Sequence, residues 1–93
     1  MINHVFYTDP SHGWLAVEIE KINELNIAHK ISEYSYLGKN HVYLEEDVDA
    51  SIYLRAYEEK YGKKPELKVE HSNASSFVRN LPSFPNFEFT KAS

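Results

Sequence analysis

The sequence predicts an α+β domain: a mostly antiparallel sheet in the order β-β-α-β-β-α-β, two helices on one face and an irregular C-terminal tail. Three observations predict it. Short β-prone segments alternate with two stretches of helical periodicity, so strands and helices must share a core. A hairpin pattern sits in mid-chain, which favours antiparallel pairing. The chain has 93 residues, 42% hydrophobic and 26% charged, enough for one core and too few for two. The expected division is an α+β domain over residues 1–71 and an apolar, proline-containing tail over 72–93, packed on the domain or on a partner.

Residues 3–8 are β-prone and end at Asp9-Pro10-Ser11-His12-Gly13, a dense turn signal. Trp14–Val17 forms a second short strand. Ile19, Ile22 and Leu25 recur at helical spacing behind Glu18 and Glu20, acids that the positive end of a helix favours. The spacing predicts a helix over 18–25, and Asn26 is a residue able to take the left-handed conformation that ends one. Glu33–Leu37 and His41–Glu45 form a hairpin around Gly38-Lys39-Asn40. A two-residue turn puts Tyr34, Tyr36, His41 and Tyr43 on one face; a three-residue loop groups Tyr34 and Tyr36 with Val42 and Leu44. Asp47 or Asp49 caps a second helix that runs to Tyr61 and stops at Gly62. Leu67–His71 is the last strand, with Lys68 and Glu70 facing outward.

Composition excludes several function classes. With no cysteine there are no disulfides and no thiolate chemistry. No run approaches the ~20 apolar residues of a membrane span. The net charge of −4 argues against binding duplex nucleic acid over a broad face. Met1–Tyr7 has neither a basic segment nor a long apolar one, which predicts a cytoplasmic chain. The unusual figure is 14% aromatic residues, seven of them Tyr. On the second helix Tyr53, Tyr57 and Tyr61 join Val48, Ile52 and Ala56 in an arc wider than one core face needs.

Each candidate for chemistry has a plainer reading. His12-Gly13-Trp14 could present a general base, but no nucleophile stands in a recognisable elbow, and a turn with a Gly at positive φ and a core-anchoring Trp explains it. The acidic run Glu45-Glu46-Asp47-Val48-Asp49 could hold a divalent cation, yet it lacks the loop pattern of a calcium site, and acids gather before helices for the dipole alone. The five His have no metal-ligand spacing. Lys60, Lys63, Lys64 and Lys68 suit a solvated helix end. Neither catalytic nor metal-binding residues are assigned, and no cofactor is implied. Tyrosine is enriched at interfaces because it joins an apolar body to a polar tip. The expected interaction surface is therefore Tyr34, Tyr36, Tyr43, Tyr53 and Tyr57 with Glu45, Glu46, Asp47 and Asp49.

Several segments carry a resemblance: His12-Gly-Trp-Leu15, Lys30-Ile-Ser32 with Tyr34-Ser-Tyr36, Tyr43-Leu-Glu-Glu-Asp47 with Asp49-Ala50, and Phe77-Val-Arg-Asn-Leu-Pro82. Together they resemble a family of short proteins encoded by phages, prophages and plasmids, over residues 8–84. The chain departs from that pattern at Asn26, where Gly is usual, and at His29, where an acid is usual. The resemblance implies a genomic setting rather than an activity, carries over no catalytic residue, and marks His12, Gly13, Trp14 and Arg79 as parts of a structural motif.

These readings converge on a non-enzymatic phage or mobile-element accessory protein that binds a host or phage protein and inhibits a host or defence function. The alternatives are a small metal-dependent hydrolase using His12 with Asp47 or Asp49, and a homo-oligomeric module in which the tail crosses to a neighbour.

Overall fold

The computed structural model describes residues 4–84; the last nine residues of the expected tail and the first three of the domain lie outside the described residues. The strands are β1 (His4–Thr8), β2 (Gly13–Glu18), β3 (Tyr36–Leu37), β4 (His41–Glu45) and β5 (Leu67–His71), and the helices are α1 (Ile19–Glu24) and α2 (Asp49–Tyr61). They form one five-stranded sheet in the order β3-β4-β2-β1-β5. All neighbours are antiparallel except β1 and β5, which run parallel because the α2 crossover connects the two halves. This is the α+β architecture the sequence implies. Among the described residues no helix is long and apolar enough to cross a membrane.

Alternation along the strands builds two unlike faces. Leu15, Val17, Val42 and Leu44 point to one side and pack with Ile22 of α1 and Tyr53 of α2 into the main core. Trp14, Ala16 and Tyr43 point to the other side, in register across β2 and β4. Helices cover the first face. A turn from the tail, Phe77–Asn80, covers part of the second. There the Phe77 ring meets Tyr7 edge-on at 5.0 Å and Tyr43 at 5.6 Å. The chain then wraps the β3 edge: Leu37 N–H donates to Pro82 O and Phe84 N–H to Ser35 O, both at 2.8 Å. Phe84 ends inside the main core, on the far side from Phe77.

Local rules account for most element ends. Asn26 has φ 56° and closes α1, and Gly62 has φ 77° and closes α2, its N–H donating to Glu58 O. Three local expectations change. In the hairpin Tyr36 pairs with Tyr43 and Gly38 N–H donates to His41 O, so the turn is Lys39-Asn40 instead of Gly38-Lys39, while Tyr36, His41 and Tyr43 share a face as the two-residue alternative has them. Tyr34 lies outside the strand. Gly13 has no positive φ; it is needed because a Cβ there would sit 2.7 Å from the Phe6 ring and 2.8 Å from the Glu46 carboxylate. Neither Asp47 nor Asp49 caps α2 through its side chain; Glu45 does.

Candidate functional site: a cleft framed by two buried carboxylates

Asp9 fixes one wall. It follows β1 in the Asp-Pro-Ser-His turn, and its carboxylate is buried. Oδ1 accepts from the Ser11 and His12 N–H groups, each at 3.0 Å. Oδ2 accepts from Ser76 N–H at 2.9 Å. Arg79 then grips both oxygens, Nε to Oδ2 at 2.6 Å and Nη2 to Oδ1 at 3.0 Å. The Arg79 guanidinium, aided by the three backbone donors, outweighs burial and holds the Asp9 carboxyl well below the usual carboxylate range. The same bond raises the Arg79 pKa. The guanidinium also lies 5.2 Å from the buried Trp14 ring, a cation–π distance. Trp14 in turn has Tyr36 edge-on at 6.2 Å.

Asp49 fixes the other wall. It opens α2 but points inward and has no exposed surface. Its Oδ2 accepts from the Ser32 N–H at 3.0 Å, the Ser32 hydroxyl at 2.7 Å and the Ser35 hydroxyl at 2.6 Å. Ser35 Oγ accepts in turn from Glu45 N–H at 2.9 Å. This network holds residues 32–35 in a turn, which is why β3 shrinks to two residues and leaves Tyr34 outside it. Glu45 closes the start of α2 by accepting from the Asp47, Val48 and Asp49 N–H groups. Burial opposes the Glu45 charge, but these three donors prevail and lower its pKa.

Between the walls lies a cleft of about 620 Å³. It gathers residues that are distant in sequence: His12, Gly13 and Trp14, Tyr34 and Tyr36, Glu45, Glu46, Asp47 and Val48, and Arg79. Tyr34 is 72% exposed and Val48 59%, large apolar surfaces that the fold leaves in water beside the exposed carboxylates of Glu46 and Asp47.

The other expected surface residues lie elsewhere. Tyr43 is half-buried in the aromatic layer under Phe77, and burial raises its pKa. Tyr53 is fully buried, its hydroxyl 2.6 Å from His4 Nε2. Tyr57 is half-buried between the rings of Tyr53 and Tyr61, at 5.9 and 4.6 Å. Tyr61 donates to Glu24 at 2.7 Å and accepts from Lys21 at 3.0 Å, tying α2 to α1. Most of the aromatic excess is therefore used inside the fold. Asp49, beneath the cleft, has no surface to offer a substrate or cation. Among the described residues no group of three or more His, Asp or Glu side chains is placed to hold a metal ion.

Sequence reasoning missed Asp9, Ser32 and Ser35. Asp9 carried a signal, since Asp two and three residues before the N–H groups it accepts is the spacing of an Asx turn. Ser32 and Ser35 carried no local signal, because their partner lies 17 and 14 residues on, respectively. A second hollow of about 590 Å³ places Lys63 and Lys64 with Lys21, Glu18 and Glu66, a mixture of signs that selects no ligand class. No protein-family model matches the chain, and the comparisons with curated proteins and with solved structures each give no match.

Proposed function

We propose that this chain is a non-enzymatic protein-binding module, an accessory protein of phage or mobile-element type, and that the cleft is its contact site. One observation carries the reading: Tyr34 and Val48, strongly exposed, line the same cleft as the exposed acids Glu46 and Asp47. Exposed aromatic surface in a preformed hollow is what interface anchors use. The chemistry that fits is a partner segment with an apolar side chain against Tyr34 and Val48 and a Lys or Arg beside the carboxylates. The two buried carboxylates support this role by fixing the walls before a partner arrives, which lowers the entropy lost on binding.

The test is capture of partners from the host cell by the full chain, compared with Tyr34→Ala and Asp47→Lys. Both changes are on the surface and leave the Asp9 and Asp49 networks intact. The expected result is loss of the same captured proteins from both variants while a Lys30→Ala control retains them. Retention of every captured protein by Tyr34→Ala and Asp47→Lys overturns the cleft as the contact site.

A further inference from the structure

The two edges of the sheet are treated differently. The β3 edge is closed by the tail through the bonds from Leu37 to Pro82 and from Phe84 to Ser35. The β5 edge has no partner among the described residues, and all five of its residues are exposed. This strand has neither a Pro nor a bulge within it, and its charged side chains, Lys68 and Glu70, are of opposite sign. Val69 is 61% and Leu67 45% exposed, on the face the helices cover elsewhere.

We propose that β5 pairs antiparallel with β5 of a second copy about a twofold axis at Val69, joining two sheets into one of ten strands. The occupant is chosen by register and charge. Ser72 N–H donates to Thr8 O, so the even-numbered residues of β5 turn their backbone groups to β1. Leu67, Val69 and His71 therefore turn theirs outward. A twofold axis at Val69 pairs 69 with 69 and 67 with 71 of the other copy, so every outward N–H and C=O is met. The same register sets Lys68 opposite Glu70 of the other copy, twice, at the closely spaced non-hydrogen-bonded positions where side chains approach most. Within one chain these two side chains already approach to 3.2 Å. Sliding the pairing by two residues sets Lys68 against Lys68 or Glu70 against Glu70. The strand is thus self-complementary in one register alone, as an isologous contact requires. On the helix side Val69 meets Val69 and Leu67 covers His71. The proposal is independent of the cleft, to which β5 contributes no residue, and it does not involve the tail.

Sedimentation of the full chain over concentrations from about 1 μM to about 1 mM tests it. The wild type is expected to dimerise. Lys68→Glu makes the edge wholly acidic and Glu70→Lys makes it wholly basic, so each alone should weaken dimerisation at least about tenfold. An equimolar mixture of the two, one carrying a mass tag, should restore dimers of mixed composition, since acidic then faces basic at both positions. The double variant Lys68→Glu/Glu70→Lys should dimerise like the wild type. Tyr34→Ala should leave dimerisation unchanged. A wild type that stays monomeric at the highest concentration, single variants that dimerise as tightly as wild type, or a mixture that does not associate overturns the proposal.

Discussion

Asp9 and Arg79, seventy positions apart, are joined by two hydrogen bonds of 2.6 and 3.0 Å, and Trp14 lies beneath the guanidinium. This pair closes the fold by fastening the tail to the first turn. It also makes stability sensitive to acid. The folded state holds the Asp9 carboxyl below its ordinary value of 3.8, so the unfolded chain takes up the proton first as pH falls. The contribution is complete above that value and is lost progressively below it. Urea unfolding measured from about pH 7 to about pH 2 should show a steep loss below about pH 4 in the wild type. Asp9→Asn should be less stable at neutral pH and show a shallower acid limb. Trp14, the sole tryptophan, reports the same event: its emission should shift to the red in Asp9→Asn as the ring loses its cover.

Asp49 differs from Asp9 in having hydroxyl and backbone donors instead of a cation. Asp49→Ala strands Ser32 N–H and both serine hydroxyls, and should destabilise the chain by about 2–4 kcal/mol. Ser35→Ala removes one donor from Asp49 and orphans Glu45 N–H, which should cost about 1–3 kcal/mol. Chemical denaturation of the two single variants and the double variant checks both values. The double variant should lose less than the sum, because both changes break the same network.

These networks show where local reading stops. Asn26 and Gly62 were legible because helix termination depends on the backbone of a single residue. The strands were legible because alternation is local. The parity of the hairpin was not, since it turns on whether two residues or three make the loop, and Gly38-Lys39-Asn40 allows either. The length of β3 was not, because Asp49 captures Ser32 and Ser35 from across the chain. The helical wheel gave Tyr53, Tyr57 and Tyr61 an arc too wide for one core face, and the hairpin pattern left the face of Tyr43 open, yet Tyr53 is buried against His4 and Tyr43 lies under Phe77. Those burials depend on β1 and the tail, which no wheel contains. The cleft was half legible: the acidic run and the His-Gly-Trp turn stood out separately, and only the fold brings them together with Tyr34.

His4 and Tyr53 form the buried polar contact between β1 and α2. Burial, with a smaller effect from Lys21, lowers the His4 pKa from 6.5, so the ring is neutral in the folded chain at neutral pH. An unfolded His4 gains its proton before the folded one as pH falls. This contribution is therefore complete above about pH 6.5 and declines as pH falls toward the lowered folded value. NMR titration of the ring should show its midpoint below 6.5. Tyr53→Phe leaves the ring without its hydroxyl partner and should cost about 1–2 kcal/mol, measured by denaturation at neutral pH.

Gly62 and Gly13 are required for different reasons, and alanine at each should separate them. At Gly62 a Cβ would meet nothing within 4 Å, so the only cost is holding φ at 77°. Gly62→Ala should lose about 1 kcal/mol, and that loss should add to any distant change. At Gly13 the backbone is relaxed, but a Cβ would stand 2.7 Å from Phe6 Cζ and 2.8 Å from Glu46 Oε1. The ring must shift within the sheet face, at about 1–3 kcal/mol. Shortening the obstructing side chain should recover part of this. Gly13→Ala/Phe6→Leu is expected to be less destabilised than the sum of its single variants, while Gly62→Ala/Phe6→Leu should equal its sum. Equal additivity in the two pairs, measured from denaturation midpoints, would show that contact with Phe6 is not what excludes a side chain at position 13.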